Sequence, residues 1–338
     1  MEVIMKKRCL VCFFVAVFVL FSLVVGCNSK TDTKELKKIT LNEVAHSIFY
    51  APQYVAIEKG YFKEEGLDVK LVNGAGADNT MTAVISGEAD IGFMGSEASI
   101  YVYNEGAKDY IVNFSQLTQR AGNFLVAHET DKNFSWEKLK GKTVLGGRAG
   151  GMPQMVFEYI LRKHSIDPQK DLNMIQNIDF GLTAQAFASG QGDYTVEFEP
   201  FAAGLEAEGQ GIVVASLGEA SGNVPYTAYS AKKSYMEKNP GVIQSFTNAI
   251  QKGLEFVQEN DVETIAKTIQ PQFKETEISK ITTIVERYKS QQTWKDNQVF
   301  EEAGFELLQD ILEEAGVVEK RAPYEKLITT DFAEEAVK

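Results

Sequence analysis

The sequence predicts an α/β protein of two lobes, each a mainly parallel sheet flanked by helices, with a helical C-terminal third packed on the first lobe. Three observations carry this reading. Strand-like and helix-like segments alternate through short connections over residues 39–116 and again over residues 142–217, the pattern of parallel sheets with helices on their faces. Two stretches, 117–136 and 218–226, break the alternation, so the chain is expected to cross between the lobes twice. From residue 232 onward the reading is helical. With 338 residues, 44% of them hydrophobic, the chain can fill two cores and is too long for one comfortable domain.

Residues 39–44 read as a strand that runs into the polar-aromatic loop of His46, Ser47, Ile48, Phe49 and Tyr50. Pro52 opens a helix and Gly60 closes it, and Gly66 turns the chain into a strand over 67–72. A Gly-rich turn (73–78), a short helix (79–86), a strand (89–94), a helix (98–103) and a strand (110–116) complete the first series. The second series runs strand 142–146, helix 152–164, strand 172–176, helix 181–189, strand 194–198, helix 200–208 and strand 212–217. A last strand over 226–230 is expected to return to the first lobe. Helices at 240–258, 262–269, 277–289, 299–315 and 324–336 follow, the first with Ile243, Phe246, Ala249, Ile250, Gly253 and Leu254 at helical spacing.

The run Pro52-x-Tyr-Val-Ala-x-Glu-Lys-Gly-Tyr-Phe-x-x-Glu-Gly-Leu-Asp-Val69 resembles the opening motif of the solute-binding proteins for sulfonates, nitrate, taurine and thiamine-type pyrimidines. Ser86-Gly-Glu-Ala-Asp-Ile-Gly92, Lys138-Leu-Lys-Gly-Lys-Thr-Val144 and Phe198-Glu-Pro200 resemble later motifs of that family, so the likeness covers nearly the whole mature chain. It implies a two-lobed clamshell of the type II periplasmic-binding-protein fold, closing by hinge motion around a ligand. Lobe 1 is then residues 39–120 and 222–338, and lobe 2 is residues 121–221.

Lys6, Lys7 and Arg8 precede an uncharged apolar run from Cys9 to Val25, and small residues lead up to Cys27. This fits a signal peptide over residues 1–26 better than a spanning helix, since the run is short and ends at a small-residue cleavage site. The cut resembles a bacterial lipobox, which implies that Cys27 is lipidated and that residues 27–38 are a polar, flexible tether. Cys9 and Cys12 would leave with the signal peptide, and the chain has no cysteine after Cys27, so neither a disulfide nor thiol chemistry is expected. Losing Glu2, Lys6, Lys7 and Arg8 moves the net charge from −13 to −15, which argues against nucleic acid as a partner. His46, His128 and His164 are dispersed without metal-ligand spacing, so no metal and no cofactor are expected.

Ligands of open α/β sheets sit at the carboxyl ends of strands. In the first lobe those loops hold Ser47, Phe49 and Tyr50, then Gly74 to Asn79, then Gly95, Ser96 and Glu97. Asn79 and Ser96 stand at expected helix starts, where free backbone N–H groups can hold an acidic or carbonyl oxygen; each could equally be an ordinary cap. The second lobe offers the Gly-rich loop 146–153, with Gly150, Gly151 and Met152 suited to close backbone approach. Arg148 is there either as a bidentate partner for an acidic group or as a solvated surface residue. Asp179 and Glu197 complete the ring. Glu197 and Glu199 are expected on one side of a strand end and Phe198 on the other, an arrangement that would take amino or amidine-like donors. Flat aromatic residues at the cleft, including Tyr226, suit a planar ring.

The family likeness implies an extracytoplasmic lipoprotein, a monomer anchored to the cell membrane by its lipid. It would present a small-molecule ligand to the permease and ATPase of an ABC importer. The ligand is either a thiamine-type pyrimidine, favoured by the acidic and aromatic residues, or a sulfonate-like anion, favoured by Arg148 and the helix starts. Two other classes stay open: an enzyme on the same clamshell, of the menaquinone-pathway or pyrimidine-synthase kind, and a ligand-sensing module. The chain shows no nucleophile or metal set beside the paired carboxylates, so it is read as a non-enzyme.

Overall fold

Ten strands form where the sequence alternates. In chain order they are β1 (Lys37–Glu43), β2 (Leu67–Asn73), β3 (Ile91–Gly95), β4 (Ile111–Thr118), β5 (Asn123–Ala127), β6 (Thr143–Leu145), β7 (Asn173–Ile175), β8 (Tyr194–Phe198), β9 (Ile212–Ser216) and β10 (Thr227–Lys232). The computed structural model describes residues 35–178 and 181–338. The expected signal segment 1–26, Cys27, the part of the expected tether up to residue 34 and Asp179 lie outside the described residues.

The strands make two five-stranded sheets, ordered β2-β1-β3-β10-β4 and β7-β6-β8-β5-β9. Each sheet is parallel except for one strand. In the first, β10 runs against both neighbours, with Tyr229 opposite Phe93 and Ala231 opposite Val112. In the second, β5 runs against β8 and β9, with Leu125 opposite Val196 and Ala215. These reversed strands mark the two crossings, from β4 to β5 and from β9 to β10. Strand β5 falls inside the stretch that broke the sequence pattern. Its residues Phe124, Leu125, Val126 and Ala127 are buried together, so it carries no period-two alternation to reveal it.

Three further elements differ from expectation, each for a local reason. Residues after β9 form a short helix, Leu217–Ser221, in place of a polar turn, because the Ser216 hydroxyl accepts the Glu219 N–H at 3.1 Å. The helix Ala77–Ser86 starts behind Gly76, which puts Asn79 inside its first turn. The expected helix over 324–336 is two, Tyr324–Leu327 and Asp331–Ala336, broken where Ile328 bridges to Asn113.

The helix Pro240–Glu259 buries Ile243, Phe246, Ala249, Ile250, Gly253 and Leu254 as one face. It lies on the helix Ala51–Glu58 so closely that a Cβ on Gly253 would run into the Pro52 carbonyl oxygen. Phe246 continues this packing onto Phe114 of the first sheet and onto Tyr229, at ring distances of 6.0 and 5.0 Å. The helix Ile278–Ser290 reaches the second sheet as well. Arg287 bonds the Glu199 carboxylate at 2.5 Å and also pairs with Glu206.

The crossings are packed about Phe49. Its ring lies 5.1 Å from Tyr50, 5.2 Å from Tyr288, and 5.7 Å from both Phe198 and Tyr226. Gly122, in the first crossing, sits against this cluster: a Cβ there would lie 2.6 Å from the Phe49 ring and 2.8 Å from Phe198. Beside the same loop, His46 Nδ1 faces the buried Glu43 carboxylate at 2.7 Å and Nε2 faces the Gln272 carbonyl at 3.0 Å. Burial opposes protonation of this imidazole. The Glu43 carboxylate and the Gln272 carbonyl outweigh it, because both ring nitrogens face acceptors, and the pKa rises above the ordinary value.

Two outcomes are expected. Gly122→Ala should lower stability by about 1–3 kcal/mol, read as a drop of a few degrees in Tm, because overpacking at this junction forces rings from both sheets to shift. A histidine with a raised folded pKa contributes stability that is complete below its unfolded pKa of about 6.5 and is lost as pH rises through the folded value. Thermal melts between pH 5.5 and 8.5 should therefore show a loss at the upper end that His46→Gln removes.

Candidate functional site

Between the two sheets lies a cavity of about 330 Å³, within the range of small-molecule sites. Its walls come from strand ends and loops of both sheets, and contacts across it hold them together. Ser47 Oγ donates to the Glu199 carbonyl at 3.2 Å, Tyr226 OH to Asn123 Oδ1 at 2.8 Å, and Tyr101 OH to Met155 Sδ at 3.7 Å. At the mouth, Arg148 stands 3.9 Å from Asp78, with their side chains 56% and 64% exposed.

The structure brings together eight of the residues picked from sequence. Ser47, Phe49, Tyr50 and Tyr226 line the cavity from the first sheet's side, and Arg148, Gly150, Gly151 and Met152 from the second's. Ser47 Oγ also accepts the Phe49 N–H at 3.3 Å, which caps the 3-10 turn Ile48–Tyr50 and fixes both aromatic side chains. The glycine loop is held from behind: Gly150 N–H donates to Gln154 Oε1 at 2.9 Å, and Gln154 in turn donates to Glu158.

Three of the other four do not line the cavity, and Asp179 lies outside the described residues. Asn79 turns its amide to the Gly74 carbonyl at 2.9 Å. Ser96 is buried and donates to the Pro225 carbonyl at 2.7 Å, tying the end of β3 to the second crossing. Glu197 is buried behind the wall, accepting from Thr195 Oγ1 at 2.6 Å and Thr183 Oγ1 at 3.1 Å. Burial raises its pKa to about 7. The expected acid-aromatic arrangement is therefore corrected. Strand alternation turns Val196 and Phe198 to the cavity and Glu197 away, while Glu199, past the strand end, bonds Arg287 and the Ala203 N–H.

Sequence reasoning put Glu97 in a cleft loop but gave the binding role there to Ser96; it is Glu97 that lines the cavity, at 3% exposure. Its Oε2 has no hydrogen-bond partner. Burial pushes its pKa to about 7, although its own backbone N–H works the other way. The carboxyl folds back over Gly95, where any Cβ would collide with both of its oxygens. That glycine two residues earlier was the available signal. An acid in the first turn of a helix is common enough to hide it. Tyr101, Thr183 and Phe198 join the wall, and among the described residues no three His, Cys, Asp or Glu side chains group so as to hold a metal ion.

Residues 48–264 match the family described as NMT1/THI5 like. The chain is 48% identical over 319 residues to YtlA of Bacillus subtilis (strain 168), a candidate binding protein by name, covering 94% of each. It is 23% identical over 221 residues to a 4-amino-5-hydroxymethyl-2-methylpyrimidine phosphate synthase of Aspergillus parasiticus, covering 62% of this chain and 63% of that one. The fold superposes with a TM-score of 0.71 on the alkanesulfonate-binding protein SsuA of Xanthomonas axonopodis pv. citri, at 16% identity, covering 88% of this chain and 99% of that one. The chain belongs to the NMT1/THI5-like family and has the fold of the periplasmic binding proteins.

Proposed function

We propose that the protein is the extracytoplasmic solute-binding component of an ABC importer. It captures one small organic molecule between its two sheets and delivers it to the membrane permease. The observation that carries this reading is the cavity between the sheets, walled by both and bordered by both crossings, which is the geometry a hinge-closing binder needs. The 48% identical relative, itself named as a binding protein, supports it.

Of the two ligand classes, the thiamine-type pyrimidine has the better support. The wall is aromatic and its buried ionisable acid is the Glu97 carboxyl, whereas Arg148 is exposed at the mouth beside Asp78. The pyrimidine named for the Aspergillus relative points the same way. An enzymatic reading has less support: the chain carries no cysteine after Cys27, and none of its three histidines lines the cavity. The lipobox-like sequence supports a position on the outer face of the membrane through a lipid on Cys27. Among the described residues no helix is long and apolar enough to cross a membrane.

A thermal-shift panel of hydroxymethylpyrimidine, its formylamino relatives, thiamine, riboflavin, taurine, alkanesulfonates and nitrate tests the ligand. A true ligand at 100 times its Kd adds about 2.7 kcal/mol, a shift of several degrees, and deletion of the gene should abolish uptake of that solute. Uptake unchanged by deletion would sink the transport reading. Cys27→Ser should move the protein from the membrane to the soluble fraction on centrifugation.

A further inference from the structure

A carboxyl oxygen buried in an aromatic wall without a partner is costly, and more so when the group is charged. Glu97 Oε2 is in that state, and the Gly95 backbone leaves space for the carboxyl to stay there. Around it the cavity carries the rings of Phe49, Tyr50, Tyr101, Phe198 and Tyr226. Among the described residues the charged side chains on the wall are Glu97, Asp78 and Arg148, and the one cation among them sits at the solvent-exposed mouth opposite Asp78. Among the described residues an entering anion finds no buried cation, while a cation finds ring faces and a carboxyl oxygen without a protein partner. Aromatic faces attract cations through the ring quadrupole, most strongly when water is excluded.

We infer that the cleft takes its solute as an organic cation, a protonated planar nitrogen base that gives an N–H to Glu97 Oε2 and lays its ring on the aromatic wall. The inference rests on the reading of this cleft as a solute-binding site. It adds the charge of the ligand and makes Glu97 the residue that selects it.

Binding of this kind is linked to a proton. Free Glu97 titrates at about 7, because burial disfavours its charge. The groups facing it are the phenols of Tyr50, Tyr101 and Tyr226, which burial and the Glu97 charge keep protonated, together with Asp78 and Arg148 across the cavity. At pH 7 about half of the free protein holds the Glu97 proton, and a cation that fixes the carboxylate displaces it to solvent. Cation affinity therefore rises with pH, by up to about tenfold per unit below 7, and levels off above it.

Three size-matched probes, benzamidinium, benzamide and benzenesulfonate, are titrated calorimetrically into the purified full chain at pH 6, 7 and 8 in two buffers of different ionisation enthalpy. Benzamidinium should bind at least tenfold more tightly than benzamide, release about half a proton at pH 7 and outcompete benzenesulfonate at every pH. Glu97→Gln should abolish both the preference and the pH slope. The slope in the unmodified protein carries the test if that variant does not fold. A best ligand that is neutral or anionic, among these probes or in the solute panel above, overturns the cation inference and leaves solute binding intact. So does a cation preference that Glu97→Gln leaves unchanged. Silence from every probe and from the whole panel overturns the binding reading and this inference with it.

Discussion

The packing of Phe49 is the constraint on which the rest of the molecule depends. Its ring joins aromatic side chains from the opening loop, from β8, from the return into β10 and from the helix Ile278–Ser290, and its carbonyl accepts the Trp294 indole N–H at 2.8 Å. Tyr288 OH adds a bond to the Gly122 carbonyl at 3.1 Å, in the first crossing itself. One cluster thus lines the cavity through Phe49, Tyr50, Phe198 and Tyr226 and packs against both crossings. Each aromatic pair contributes about 0.5–1.5 kcal/mol beyond its buried area, whereas an exposed ion pair such as Arg148 with Asp78 contributes about 0–1. The relation between the sheets is therefore held by packing at the base and only lightly by charge at the mouth.

Four of the five glutamates buried among the described residues show how differently one residue type can be used. Glu43 is engaged by His46, Tyr54 and Gln53, with the Tyr54 hydroxyl and Gln53 amide at 2.8 and 2.7 Å. Glu197 has two threonine hydroxyls, and Glu199 has Arg287 and a helix N–H. These three are satisfied within the protein and serve its architecture. Glu97 is the carboxylate among the described residues that keeps a buried oxygen without a partner, and it is the one in the cavity. Buried polar groups are ordinarily hydrogen-bonded; Arg162 Nη1, Ser230 Oγ and Tyr235 OH are further exceptions among the described residues, and of the four only Glu97 lines the cavity.

Most of the fold could be read in advance because its signals are local. Pro52 and Gly60 bracket a helix, Gly66 makes a turn, and the row Ile243, Phe246, Ile250 and Leu254 has the period of a helix face. The site was legible to the extent that loops at strand ends face a cleft, which brought Ser47, Phe49, Tyr50, Arg148, Gly150, Gly151, Met152 and Tyr226 to one cavity. The errors came where a residue had two plausible uses. Ser96 and its neighbour Glu97 occupy the same turn, and the hydroxyl went to the Pro225 carbonyl while the carboxyl took the cavity.

The sequence by itself determined the α/β class, the two lobes' worth of strands, the double crossing and the family, because periodicity, caps and motif spacing are written along the chain. Only the tertiary structure decided that β5 is a central strand, that Phe198 and not Glu197 meets the cavity, and that Glu97 lacks a partner. Those outcomes depend on what lies opposite each side chain in space, which is contributed by segments far away in sequence, such as Pro225 against Ser96, 129 residues apart, and Arg287 against Glu199, 88 residues apart. Burial and pairing are properties of the folded neighbourhood, and no window of sequence contains it.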